Sequence, residues 1–168
     1  MNLLLALILS FSVALPIVRV GDSNTVISSG MFGDKEYYAM NGWSAYLAAD
    51  DNEFSDYLKG KCGRSVFVML GTNDIYEPAF SSYGRSLSVI IDKIRRCATP
   101  YLVMLPSFPN AQDKIDRLNG VMINVAVKTG TRFVYYYTEP SFAYDGIHQN
   151  EYGQRLIDAA INNSVGNR

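Results

Sequence analysis

The sequence predicts an α/β fold: a three-layer α/β/α sandwich built on a parallel sheet of five strands. Three observations carry this expectation. Short β-branched or apolar runs alternate with longer stretches whose apolar residues recur at helical spacing. The runs at 65–70 and 101–105 are almost continuously apolar, as strands covered on both faces are. No repeat, low-complexity tract or linker interrupts the 168 residues, a length that suits one core. Strands that alternate with helices imply crossover units, and these put parallel strands between two helical layers.

The elements follow in order. Residues 17–20 (Ile-Val-Arg-Val) form a short β-branched run that Gly21 ends. Residues 36–40 read as a second strand, and 43–58 as one helix with Tyr46, Leu47, Phe54, Tyr57 and Leu58 facing inward. Residues 65–70 are the third strand. Residues 86–97 carry Leu87, Ile90, Ile91 and Ile94 at helical spacing. Residues 101–105 are the fourth strand, stopped by Pro106. The helical spacing returns over 111–128 through Ile115, Leu118, Met122 and Val125. Residues 132–137 are the fifth strand, and 152–165 the last helix, with Leu156, Ala160 and Ile161 inward.

Residues 3–14 are nearly all apolar but fall short of the roughly 20 residues that a membrane helix needs. They match the apolar region of a secretory signal, and Ser12-Val13-Ala14 offers a small-residue cleavage site. No Lys or Arg precedes the run, so the α-amino group alone supplies positive charge. The adopted division is a signal peptide over 1–14 and a single domain over 15–168, with a secreted or periplasmic location and no stable membrane span in the mature form. A buried strand leading into 17–20 and an uncleaved anchor are the alternatives.

Composition excludes several classes. At 48% hydrophobic and 12% aromatic residues the chain is neither disordered nor collagenous. Fifteen basic against sixteen acidic residues give a net charge of −1, which argues against a nucleic-acid partner. Two cysteines cannot supply a four-cysteine zinc site. The single histidine, His148, excludes a histidine-rich metal centre and confines imidazole chemistry to one place.

In open α/β sheets, ligands sit beyond the carboxyl ends of the strands. Three small-polar clusters fall there: Gly21-Asp22-Ser23-Asn24, Gly71-Thr72-Asn73-Asp74 and Asp145-Gly146-Ile147-His148. The fold would bring a serine, a carboxylate and the only histidine to one rim. A serine hydroxyl needs a base to accept its proton, an imidazole suits that task, and a carboxylate fixes its tautomer. Taken singly, Ser23 reads equally as a helix cap, and Asn73 and Asp74 as turn formers.

In their order and spacing, these blocks resemble the SGNH hydrolases of the GDSL esterase/lipase superfamily. Gly21-Asp22-Ser23 matches the first block, Gly71-Thr72-Asn73-Asp74 the third and Asp145-Gly146-Ile147-His148 the last. Asn41-Gly42-Trp43-Ser44 is the candidate second block. The resemblance spans residues 17–165. It implies a flavodoxin-like strand order 2-1-3-4-5, Ser23, Asp145 and His148 as catalytic residues, and an oxyanion hole made by Ser23, Gly42 and Asn73. It requires neither cofactor nor metal. Asp22 and Asp74 are read as structural. Trp43, Tyr76, Phe108 and Tyr144 lie near the rim and are read either as cleft lining or as core.

The implied activity is hydrolysis of carboxylic esters, with short-chain acyl or carbohydrate O-acetyl esters preferred. The substrate is then a small molecule or glycan. Lysophospholipase or thioesterase activity and a non-catalytic binding module are the alternatives. A flavodoxin-like nucleotide binder is disfavoured because no Gly-rich phosphate loop follows the first strand. In the implied strand order Cys62 and Cys97 precede neighbouring strands at the end opposite the site. A bridge there is plausible if the Cα atoms lie within about 7 Å; two buried thiols are the alternative.

Overall fold

A computed structural model of the chain describes residues 17–33 and 36–166. The signal-peptide expectation at 1–14 lies outside them. The element order is β1 (Val18–Gly21), α1 (Ser23–Phe32), β2 (Tyr37–Ala39), α2 (Ala45–Asp50), α3 (Asn52–Lys59), β3 (Ser65–Met69), α4 (Ala79–Arg95), β4 (Thr99–Val103), α5 (Gln112–Thr129), β5 (Arg132–Val134) and α6 (Glu151–Gly166). Among the described residues the five strands form one parallel sheet in the order β2-β1-β3-β4-β5. α1 packs with α6, while α4 packs with α2, α3 and α5, which gives the two helical layers.

Burial explains the centre of the sheet. Every residue of β3 is buried, and so are Val18 and Val20 of β1. The α4 face made by Leu87, Ile90, Ile91 and Ile94 is fully buried. Each such aliphatic side chain contributes roughly 1.5–3 kcal/mol through burial. Arg19 lies inside this core, where it donates to Ser28 Oγ (3.0 Å) and pairs with Asp158 of α6.

The structure departs from the sequence reading at several elements. The expected helix over 43–58 is two helices. Asp51 adopts an extended conformation (φ −72°, ψ 118°), ends α2, and caps α3 by accepting from Phe54 N–H (3.0 Å). The break resets the helical phase, so Tyr46 and Leu47 are exposed. Ala45 and Ala48 face inward instead, where small side chains let α2 approach α4. The helix expected at 86 begins at Ala79, because Tyr83 is buried and donates its hydroxyl to Leu70 O (2.7 Å). β5 stops at Val134, although the alternation continues: Tyr135 and Tyr137 are exposed and Tyr136 is buried, donating to Met104 O (2.7 Å). In α6 Gln154 and Ile157 are fully buried and Leu156 is half-buried, because Gln154, Ile157 and Ile161 form the inward stripe.

Cys62 and Cys97 form a disulfide with a Cα separation of 4.4 Å. It joins the turns that enter β3 and β4, and Gly63 N–H donates to Cys97 O beside it (2.7 Å). The bridge lies at the amino ends of the strands, away from the loops that carry the polar clusters.

Candidate active site

β1 must turn sharply into α1, and Gly21 makes that possible. A Cβ on Gly21 would lie 1.9 Å from Thr25 Oγ1 and 2.8 Å from Met69 O. Asp22 then caps α1 by accepting from Asn24 N–H (3.0 Å). Ser23 is the first residue of the helix, so its own N–H has no acceptor inside α1 and sits at the positive end of the helix dipole.

His148 comes from a small looped hairpin. Tyr144 N–H donates to His148 O (3.1 Å) and Asn150 N–H to Phe142 O (2.7 Å), pinching the loop at its base. Gly146 has φ +83° and lies against Asn110, so that turn suits glycine alone. Asp145 accepts from His148 N–H (2.7 Å) and Ile147 N–H (3.0 Å), and its second oxygen meets His148 Nδ1 at 2.6 Å. Those bonds, those from His148 above all, hold the carboxyl down at about 2. An ionised carboxylate only accepts, so Nδ1 carries the imidazole proton and Nε2 is left as an acceptor. Ser23 Oγ lies 2.9 Å from Nε2 and donates to it. Ser23, His148 and Asp145 thus form one hydrogen-bonded line across 125 residues of chain.

The turn after β3 supports the opposite wall. Asp74 accepts from Ala45 N–H (2.8 Å) and Tyr46 N–H (3.1 Å), holding the start of α2. Asn73 donates one amide N–H to Trp43 O (3.1 Å), and an asparagine amide has a second. Gly42 sits in the turn closed by Trp43 N–H to Met40 O (3.2 Å), with φ +73°. Ser23, Gly42, Asn73 and His148 line one cleft of about 490 Å³, together with Val26, Ile27, Asn41 and Ile147. The structure therefore brings together all five residues that the sequence singled out for the site, Asp145 joining through His148.

Asp22 and Asp74 lie behind the cleft, both fully buried. Burial pushes each carboxyl up to about 6. Of the four aromatics noted near the rim, Trp43 and Phe108 are buried. Trp43 packs against Tyr38 and Phe54 (ring centroids 5.3 and 5.7 Å). Tyr76 and Tyr144 are about two-thirds exposed, and Tyr144 lies alongside the His148 ring (6.2 Å, 30°). Among the described residues no cluster of three or more His, Cys, Asp or Glu side chains is placed to ligate a metal ion. No helix among them is long and apolar enough to cross a membrane.

Sequence reasoning missed Asn24, Gln149 and Gln154, each fully buried. Asn24 Oδ1 accepts from Gln149 N–H (3.2 Å) and Gln154 Nε2 (3.3 Å), and Gln149 Nε2 donates to Ser107 O (2.9 Å). Two of the three sit directly after Ser23 and His148 in sequence. That adjacency was the available signal.

No protein-family model matches the chain, and no curated protein matches it. Solved structures do. A GDSL-like lipase from Bacteroides thetaiotaomicron is 18% identical over 89% of this chain and 87% of its own, with a TM-score of 0.69. A carbohydrate esterase of family 3 from Talaromyces cellulolyticus is 17% identical over 89% and 95%, with a TM-score of 0.71. An acetylxylan esterase from Geobacillus stearothermophilus is 15% identical over 90% and 94%, with a TM-score of 0.68. With its five-stranded parallel sheet in the order β2-β1-β3-β4-β5 between two helical layers, the chain has the fold of the SGNH (GDSL) hydrolases.

Proposed function

We propose that the chain is a serine esterase that hydrolyses carboxylic esters through an acyl-enzyme, with short acyl groups, including O-acetyl groups on carbohydrates, as its substrates. The observation that carries the reading is the line from Ser23 Oγ through His148 to Asp145, set beside Gly42 and Asn73 in one cleft.

The steps follow from the geometry. Ser23 Oγ forms a bond to the ester carbonyl carbon while its proton passes to His148 Nε2. Asp145 keeps the proton on Nδ1 and stabilises the imidazolium. The carbonyl π pair becomes an oxyanion that Ser23 N–H, Gly42 N–H and the Asn73 amide receive. One such donor is worth about 3–4 kcal/mol of transition-state stabilisation. The intermediate collapses, the C–O bond to the alcohol breaks, and the leaving oxygen takes the proton from Nε2. Water then gives a proton to His148 and attacks the acyl carbon, and Ser23 recovers its proton as the acid departs.

The preference for short acyl groups rests on the cleft. Its apolar lining is limited to Val26, Ile27 and Ile147, which offers a short acyl chain a wall and a long one no enclosed tunnel. Several of the structural neighbours are described as acetyl or acetylxylan esterases. The Cys62–Cys97 bridge suits an oxidising compartment, which supports secretion or a periplasmic location.

Hydrolysis of p-nitrophenyl acetate, butyrate and octanoate, beside an O-acetylated xylo-oligosaccharide, tests the reading. The expected order is acetate first, with steep loss by octanoate. Equal or greater turnover of octanoate moves the assignment to lysophospholipase or thioesterase chemistry. No turnover of any ester leaves a binding module.

A further inference from the structure

Ser23 and His148 lie at opposite ends of the chain, and a serine–imidazole bond of 2.9 Å demands that two separate loops meet in register. The next residue on each side makes a second bond between the same loops. Asn24 is fully buried, and its Oδ1 accepts from Gln149 N–H at 3.2 Å. Gln149 N–H plays no part in the small bridge that pinches its own loop, whose bonds run from Tyr144 N–H and Asn150 N–H. A backbone N–H can only donate, so this contact also settles which end of the Asn24 amide faces the loop. Gln154 Nε2, on α6, reaches the same oxygen at 3.3 Å. Among the described residues Asn24 Nδ2 has no hydrogen-bond partner. The side chain therefore works there as a buried acceptor.

We propose that Asn24 is a positioning residue that sets the Ser23–His148 distance by accepting the Gln149 N–H through its side-chain carbonyl. The inference rests on the esterase reading above. The bond ties the residue after the nucleophile to the residue after the base, so it fixes both backbones within one peptide unit of the reacting atoms. Without it, the backbone of the His148 loop is held by its own base, by Asp145 and by the Gln149 side chain on Ser107 O, and none of these contacts reaches α1. A displacement of about 1 Å at the reacting atoms can cost on the order of 100-fold in rate. Neither Asn24 nor Gln149 lines the cleft, so substrate affinity is not expected to follow.

The test compares Asn24→Ala, Asn24→Asp, Gln149→Pro and Asn24→Ala/Gln149→Pro on p-nitrophenyl acetate. Phosphonylation of Ser23 by a fluorophosphonate reagent serves as a readout independent of the ester chosen. Proline at 149 deletes the donor, and aspartate at 24 keeps an oxygen at the acceptor position. Asn24→Ala is expected to lose about 100-fold in kcat with KM within about threefold. Asn24→Asp should recover at least tenfold of that loss. The double variant should fall well short of the product of the two single losses, since the bond they share is lost only once, although each also removes a contact of its own, to Ser107 O or from Gln154. Phosphonylation should slow in parallel with kcat. Wild-type kcat and phosphonylation in folded Asn24→Ala overturn the proposal, as does an Asp variant no better than Ala. If Asn24→Ala does not fold, wild-type kcat in Gln149→Pro overturns it instead. Wild-type protein that neither hydrolyses esters nor reacts with the reagent removes the esterase reading itself, a distinct outcome.

Discussion

Lowering the pH from 7.5 to 5.0 is expected to stabilise this protein. Asp22 and Asp74 are fully buried, and burial raises both carboxyls from 3.8 to about 6, the Asp74 charge adding to the effect on Asp22. A group raised on folding binds protons more tightly in the native state. Its stabilisation is complete below the unfolded value and is lost as pH rises through the folded one. For one carboxyl moving from 3.8 to about 6, the change between pH 5.0 and 7.5 is about 1.4 kcal/mol. The two together are worth about 1.5–2.5 kcal/mol, since mutual repulsion already underlies part of the shift. At about 2–4 °C per kcal/mol for a domain of this size, Tm rises by about 3–10 °C. Asp145 acts in the opposite direction but in another window. Held at about 2, it adds stability above 3.8 that is lost only as pH falls through 2. Circular-dichroism melts at pH 7.5, 6.5 and 5.0 read the effect. Asp22→Asn should remove about half of it, because the amide oxygen still caps α1. A Tm that stays level or falls between pH 7.5 and 5.0 refutes the reasoning.

Ser23→Ala and His148→Ala should each abolish esterase activity by several orders of magnitude and keep a native circular-dichroism spectrum; the double variant should be scarcely worse than either single. Asn73→Ala should lower kcat by roughly 10²–10³ with a smaller change in KM, measured by steady-state kinetics, because the role proposed for its amide is toward the oxyanion rather than the bound ester. Gly42→Ala has open space for its Cβ but a φ of +73°, so it should lose activity through a distorted turn rather than a clash, visible as a kcat loss without a large fall in Tm. Thiol titration of the denatured, unreduced protein should find no free thiol. Cys97→Ser should cost about 3–4 kcal/mol on the chain-entropy model for a separation of 35 residues, read by urea denaturation.

Much of this architecture was legible because it follows from local pattern. The apolar run of β3 and the helical stripe from Leu87 to Ile94 need no tertiary context to be read, and both are buried as expected. Asp145 and His148 are three residues apart, so their contact is a property of one turn. What failed was phase and long-range polarity. Asp51 caps a new helix in the middle of an apparently continuous pattern, and the consequence was two exposed side chains at Tyr46 and Leu47 assigned to the core. Gln154 is polar and fully buried, which hides the inward stripe at the start of α6: Ile157 rather than Leu156 is buried, while Ile161 faces inward as expected. Asn24 and Gln149 meet across 125 residues. Adjacency to Ser23 is a local signal, but that Asn24 is a buried acceptor emerges only when the loops are brought together.

The central claim is that Ser23, activated by His148, is a nucleophile. Intact-mass spectrometry after treatment with a fluorophosphonate, followed by peptide mapping, tests it most directly and without a choice of substrate. The account predicts a single adduct on Ser23 that disappears in Ser23→Ala and forms far more slowly in His148→Ala. A folded wild-type protein that forms no adduct, or carries it on another residue, contradicts the account.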